Sequence, residues 1–456
     1  MSLQQSLYPE VLTMLPGPRS HEILKKRSQL IRAAPSPEEA PIPFALDSKD
    51  GWLLRDVDGN SFIDFITGWG STLLGAGHPS IVEAAIEGVR RFSIENSDYV
   101  YARPLNDLAE KLVEITPKSV TTVSYEISGT EAVETAAKLM RAATGRQFII
   151  SFFGQYHGES TAAQALAAQQ SEFTRGMRSL TSGYIHVPYP HPYRCPFEHH
   201  GDSCDGVCVI RYIREYVTFH QVAADEIAGV FIEPILGEGG VLAPPDAFWP
   251  ELVDLCGKNG WLLTLDEVET GFGRTGKMFA AEHWGIEPDL MCLAKGLSGG
   301  ALPLGAVMMS QSVAEATKDF HAGGTFAGQP AACLAAREAL RVFEAEHVLD
   351  HVAVLEEIAI DKLESLTDCY SFVGDVRIRG LYLAVEFVRD KGSKQRAPEI
   401  AKKVHAACLR RGLAGIQDDV AYYRGLPALN MPAEIFAHAM DIVVESIDEV
   451  AGFVKS

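Results

Sequence analysis

The chain has 456 residues, 47% of them hydrophobic and 22% charged, which is enough apolar mass for a large interior and too much length for a single core. Its formal charge of -20 argues against nucleic acid or an anionic membrane surface as partner, because both would be repelled. No apolar run approaches the roughly 20 residues of a membrane span, and eight scattered cysteines suit reduced thiols better than a disulfide framework.

Taken in chain order, the N-terminal MSLQQSLYPEVLTMLPGP has no basic stretch leading into an apolar run. No signal peptide is therefore expected, and a cytoplasmic location is. GWLLRDVDGNSFIDFITG reads as a hairpin turning at Asp58–Gly59. From about residue 120 to 310, short apolar runs alternate with longer amphipathic ones. Strands are predicted at 121–126, 148–152, 228–235, 261–265, 290–293 and 305–309, and helices at 131–143 and 246–260. Such alternation implies βα units and a mostly parallel sheet, which binds ligands at the carboxyl ends of its strands.

The stretch 187–208 is rich in Pro, His and Cys and reads as a long irregular loop. Cys195, His199, His200, Cys204 and Cys208 offer metal-ligand chemistry. Their spacing fits no paired C-x2-C signature, and no metal is assigned. Beyond about 330, long helical segments lead into GDVRIRGLYLAVEFVRD, which alternates like an antiparallel hairpin. The fold class expected is α/β, with a large domain on a central mostly parallel sheet at 76–330. A smaller α+β domain is expected from both chain ends, 1–75 and 331–456.

Three features fall at predicted strand ends. In SYEISGTEAVETAAKL, Ser128 and Glu131 have capping-box spacing. The free N–H groups there, with two hydroxyls and Gly129 allowing close approach, make an anion site at Ser128, Gly129 and Thr130. In LLTLDEVETGFGRTG, Asp266 ends an apolar strand. In DLMCLAKGLSGG, Lys295 follows another; a lysine there either snorkels to water or acts as a nucleophile. One amine, one carboxylate and one phosphate cradle suit pyridoxal phosphate, which needs a Schiff-base lysine, a partner for its ring nitrogen and an anion site.

The motifs DEVETGFGRTG, PDLMCLAKGLSGGALPLGAV, SGTEAVETAAKLMRAATGR, FFGQYHGES, FIEPILGEGG, GGTFAGQPAAC and FIDFITGWGSTLLGAGHP occur in that family's order. The chain resembles the class III (ω-type) aminotransferases of fold type I, relatives of the 4-aminobutyrate and ornithine aminotransferases. The resemblance implies that Lys295 forms the Schiff base and moves the proton, and that Asp266 holds the ring nitrogen. It implies that Val268 and Tyr156 flank the ring, that His157 and Glu269 lie beside the cofactor, and that Gly129 and Thr130 bind its phosphate. Thr325 would reach the phosphate of a neighbouring subunit, implying a homodimer with shared sites. Trp69, Glu159, Glu233 and Arg424 would face the substrate.

Three departures mark this chain. Members acting on anionic amines such as 4-aminobutyrate have Arg directly after YHG, where Glu159 stands; a Glu there repels a carboxylate and attracts an ammonium group. Glu269 replaces the family's frequent Gln, and Arg424 sits in an altered tail motif, YYRGLPALNMP. The activity expected is amino transfer from a neutral or cationic amine (an amino sugar, polyamine or ω-amine) to a carbonyl acceptor. A racemase, epimerase or aminomutase of the same family is the alternative, and a non-catalytic cofactor-holding protein a more distant one.

Overall fold

The computed structural model describes residues 7–95, 100–173, 175–176, 182–198, 204–417 and 421–454. The chain divides into two compact units, Met1–His78 with His347–Ser456, and Pro79–Glu346. Its strands are β1 (Leu46–Asp50), β2 (Leu53–Asp56), β3 (Ser61–Asp64), β4 (Thr122–Glu126), β5 (Phe148–Phe152), β6 (Tyr184–Val187), β7 (Ile227–Ile232), β8 (Leu262–Asp266), β9 (Leu290–Leu293), β10 (Gly305–Met309), β11 (Val373–Arg379), β12 (Tyr382–Phe387), β13 (Leu413–Ala414), β14 (Ile416–Gln417) and β15 (Tyr422–Gly425).

The unit Pro79–Glu346 holds a seven-stranded sheet in the order β4-β10-β9-β8-β7-β5-β6. The pairs from β6 through β9 are parallel, and β10 runs against both its neighbours. β7, β9 and β10 are buried at every position, which is why they read as unbroken apolar runs without alternation. The helix Gly129–Thr144 covers the sheet, setting Ala132, Val133, Ala136 and Met140 in one cluster with Leu290, Cys292 and Val307. Ser128 caps its start, the hydroxyl accepting from the Glu131 N–H at 3.2 Å, and Gly145 ends it in a left-handed conformation.

The helix Pro330–Ala345 also belongs to this unit. Its small residues meet the helix Pro79–Arg91 at Gly88, where a Cβ would lie 2.5 Å from the Ala331 Cα. That close approach carries the unit to Glu346, past the boundary at 330 drawn from the change in sequence pattern.

The other unit has two four-stranded sheets, β1-β2-β3-β13 and β11-β12-β15-β14. Both expected hairpins form: β2 pairs with β3 and β11 with β12, each antiparallel. β13 adds to β3 in parallel, Leu413 opposite Ile63, which knits the two ends of the chain into one sheet. In the second sheet Arg377 is gripped by Asp375 at 2.8 Å and by the fully buried Glu386. Among the described residues no helix is long and apolar enough to cross a membrane.

Candidate active site

β8 and β9 lie side by side and parallel, with Asp266 opposite Cys292. Their carboxyl ends therefore deliver Asp266 and, one turn onward, Lys295 to the same edge of the sheet. Lys295 begins a short helical turn, Lys295–Ser298, and its φ of +41° lies in the left-handed region. A non-glycine residue held there costs about 1–2 kcal/mol, so the surrounding packing fixes where this side chain starts. Its amine is ion-paired with Glu269, and the two side chains are only 22% and 9% exposed. Lys295 is thus turned toward a carboxylate inside the unit.

Asp266 is 4% exposed. One carboxylate oxygen lies 2.7 Å from His157 Nδ1, and the other accepts the Val268 N–H at 3.0 Å. A carboxylate only accepts, which assigns the proton to Nδ1 of His157. The buried imidazole stands edge-on to Phe231 at 4.9 Å, and its Nε2 is enclosed without a hydrogen-bond partner. His157, expected beside the cofactor, therefore acts on Asp266 and fixes the orientation of its carboxylate.

The helix start at Ser128–Thr130 closes this corner. A Cβ on Gly129 would meet the Val268 side chain at 2.9 Å, so Val268 lies directly against the helix N-terminus. The Tyr156–Glu159 loop crosses close by: Gly158 has a φ of +117°, and a Cβ there would fall 2.3 Å from the Thr130 hydroxyl. Only glycine satisfies both demands.

Glu233, expected at the substrate end of the pocket, is held by backbone. It is 5% exposed, and its two oxygens accept the N–H groups of Tyr156 and Gly237, each at 2.8 Å. Burial pushes its carboxyl well above the usual carboxylate range, the charge of Asp266 adds to this, and the two N–H bonds oppose it. It braces the Tyr156 loop against the end of β7. Tyr156 reaches Glu159 through its hydroxyl at 3.4 Å. Burial raises its phenol to about 12, with the charges of Glu159, Glu238 and Glu269 contributing. Tyr156, Gly158, Glu159, Gln164, Gln169 and Phe173 line a small hollow in which, among the described residues, the charged group is the acid Glu159.

The remaining candidates are carried by other segments. Trp69 and Arg424 belong to the other unit and meet there: the guanidinium carbon sits 5.7 Å from the centre of the Trp69 ring. Arg424 is fully buried on β15, while Trp69 is 47% exposed at a φ of +58°. Thr325 is exposed beside the exposed Phe326. His199 and His200 fall outside the described residues, whereas Cys195, Cys204 and Cys208 converge.

Sequence reading passed over Glu267, which follows Asp266. It is fully buried and accepts from the N–H groups of Ala280 and Ala281 at 3.1 and 2.8 Å and from the Thr270 hydroxyl at 2.5 Å. Burial raises its carboxyl to about 7, against those bonds. The signal was present in DEVETG: two acids at the end of one strand cannot both face the ligand, and a Thr three residues on supplies a donor.

Comparison with known proteins places the chain in a family. Residues 34–447 match the family model described as aminotransferase class-III. An alanine/serine racemase of Pyrococcus horikoshii is 32% identical over 98% of this chain and 94% of its own length. A 4-aminobutyrate aminotransferase of Mycobacterium leprae is 35% identical over 97% of this chain and 98% of its own. A thermostable omega transaminase mutant from Pseudomonas jessenii superposes with a TM-score of 0.89 at 26% identity, covering 95% of this chain and all of that one. Extended over nearly the full length, these matches establish that the chain belongs to the class-III aminotransferase family, enzymes whose cofactor is pyridoxal phosphate.

Proposed function

We propose that this enzyme transfers the amino group of a neutral or cationic amine to a carbonyl acceptor, with Lys295 as the catalytic base. The observation that carries the chemistry is the pairing of an amine and a His-bonded carboxylate at the ends of neighbouring parallel strands, β9 and β8.

The residues fit pyridoxal phosphate. The helix start at Gly129 and Thr130 offers free N–H groups and a Cβ-free wall for its phosphate. Asp266 offers a buried anion for its ring nitrogen, and Val268 and Tyr156 offer the two faces between which a flat ring lies. When bound, the cofactor supplies an aldehyde for the donor's nitrogen and a sink for negative charge on the donor carbon. His157 Nδ1 keeps Asp266 in one orientation. Lys295 Nζ takes the proton from the carbon bearing the nitrogen, and Glu269 holds that amine in place beforehand. Glu159, Glu238 and Glu269 around Tyr156 favour an ammonium or hydroxyl-bearing substrate tail over a carboxylate. Arg424, stacked with Trp69, is the candidate for binding an acceptor's carboxylate.

We further propose a homodimer in which Thr325 completes the neighbour's phosphate site, supported by the exposure of Thr325 and Phe326. A cytoplasmic location is supported by eight cysteines, none of them in a disulfide. A second reading is racemisation or epimerisation, favoured by similarity to the alanine/serine racemase over 98% of the chain. It uses the same lysine but returns the proton to the carbon it left.

An ¹⁵N-labelled amine panel with unlabelled keto acids in deuterated water separates the readings. Amino transfer moves the label into the acceptor. Label retained on a donor that gains deuterium at its α-carbon would replace this proposal with racemisation. Borohydride treatment followed by peptide mapping should fix the cofactor to Lys295, and fixation elsewhere would overturn the assignment of the base.

A further inference from the structure

The loop after β6 contains a second cluster of reactive groups, apart from the site just described. Cys195 and Cys204 are buried, Cys208 is half-buried, and their three sulfurs lie within 4.8 Å of one another. Cys195 and Cys208 are 3.8 Å apart. The sequence separates these residues by irregular chain, yet the fold delivers them from three directions. Cys195 follows the turn Pro192–Arg194, Cys204 precedes a tight bend, and Cys208 lies in the first turn of the helix Val207–Tyr212.

We propose that Cys195, Cys204 and Cys208 bind a structural zinc ion as thiolates. Zinc–sulfur bonds of about 2.3 Å at tetrahedral angles place two sulfurs about 3.8 Å apart, the separation found for Cys195 and Cys208. A disulfide needs about 2.05 Å and would leave the third thiol over. Among the described residues no His, Asp, Glu or further Cys joins the cluster, so the fourth position of a tetrahedral ion falls to a nitrogen or oxygen ligand beyond these three. Soft thiolates select zinc over magnesium or calcium, and each thiol releases its proton to solvent as the ion binds.

The site has a purpose in the fold. Before the cluster, Tyr189 is buried and donates its hydroxyl to the carbonyls of Glu233 and Pro234. Within it, between Cys204 and Cys208, Gly206 is packed so closely that a Cβ would sit 3.1 Å from Phe248 and 3.2 Å from Pro190. An ion held by all three sulfurs would staple this irregular stretch between its anchor at the end of β7 and the helix Val207–Tyr212. It would thereby secure the backbone of the residue that braces the Tyr156 loop. The inference does not depend on the reaction the enzyme catalyses.

The test uses the full-length, cofactor-loaded protein grown with zinc, passed over a desalting column and analysed by plasma mass spectrometry. About one zinc per chain is expected, with the zinc absorption edge reporting three sulfurs and one lighter ligand. Cys204→Ser and Cys208→Ser should lose the ion while keeping the cofactor's absorbance. Stripping the parent with a chelator should lower its unfolding midpoint, and zinc should restore it. Less than about a tenth of an ion per chain, with all eight cysteines titrating as free thiols, would overturn the proposal in favour of a bare thiol cluster. Two thiols recovered only after reduction would overturn it in favour of a disulfide. If the variants fail to fold, the metal content and absorption edge of the parent still decide.

Discussion

Replacing His157 with Phe isolates one hydrogen bond. An aromatic ring is kept beside Phe231, 4.9 Å away in the parent, although phenyl is larger than imidazole, and the Nδ1 donor 2.7 Å from Asp266 is lost. Asp266 is 4% exposed and keeps the Val268 N–H as a donor to its other oxygen. A hydrogen bond to a buried charged group is worth about 1.5–3 kcal/mol. Since Asp266 must stay ionised and oriented toward the cofactor's ring nitrogen, that loss should fall on catalysis, as a roughly ten- to hundredfold drop in turnover. His157→Asn, which retains a short donor, should recover part of it. The assay is turnover of cofactor-saturated protein, with cofactor retention on dialysis measured in parallel. A His157→Phe enzyme fully loaded and within twofold of the parent would refute the view that this histidine positions Asp266.

Glu267→Gln tests the buried acid next to it. The carboxyl is raised from 4.5 to about 7 in the folded chain, so its contribution to stability is complete below 4.5 and is lost as pH rises through 7. The parent's stability advantage over the Gln variant should therefore shrink by about 3 kcal/mol between pH 4.5 and 8, read from urea midpoints; a constant difference would contradict the raised value. Arg377→Met leaves Glu386 fully buried without its cation and should cost about 3–5 kcal/mol in chemical denaturation; a loss below 1 kcal/mol would mean that Glu386 finds another partner. Glu159→Arg should shift preference toward carboxylated amines by tenfold or more in kcat/KM ratios, and an unchanged profile would remove Glu159 from substrate selection.

Much of the sheet was legible because its strands are buried on both faces. Short, mostly apolar runs gave 148–152, 290–293 and 305–309 at their observed limits. β6, Tyr184–Val187, escaped because four residues with His in their midst carry too little pattern. The direction of β10 was equally hidden, since a buried strand reads alike both ways along its axis. At the site, Lys295, Asp266 and the Ser128 cap could be read locally, each from its own strand end or helix start. Pairings between distant segments could not. His157 meets Asp266 across 109 positions, and Arg424 meets Trp69 from the opposite end of the chain. For Glu233 the motif was readable, but only three-dimensional structure revealed that both its oxygens are bound to backbone. The three thiols fit no spacing rule because one of them arrives from a turn and another from a helix.

The reversed strand has a consequence for synthesis. β4 is made early, but its one partner in the sheet, β10, leaves the ribosome only after residue 305. Until then β4 and the helix start that follows it at Ser128 have no ladder to join, and the loop that must close between them is long. The phosphate cradle is therefore among the last parts of this unit to become rigid, although it is among the first to be translated. A nascent chain stalled before Gly305 should expose Thr122–Glu126 to proteases and chaperones, and should be unable to retain cofactor however much is supplied.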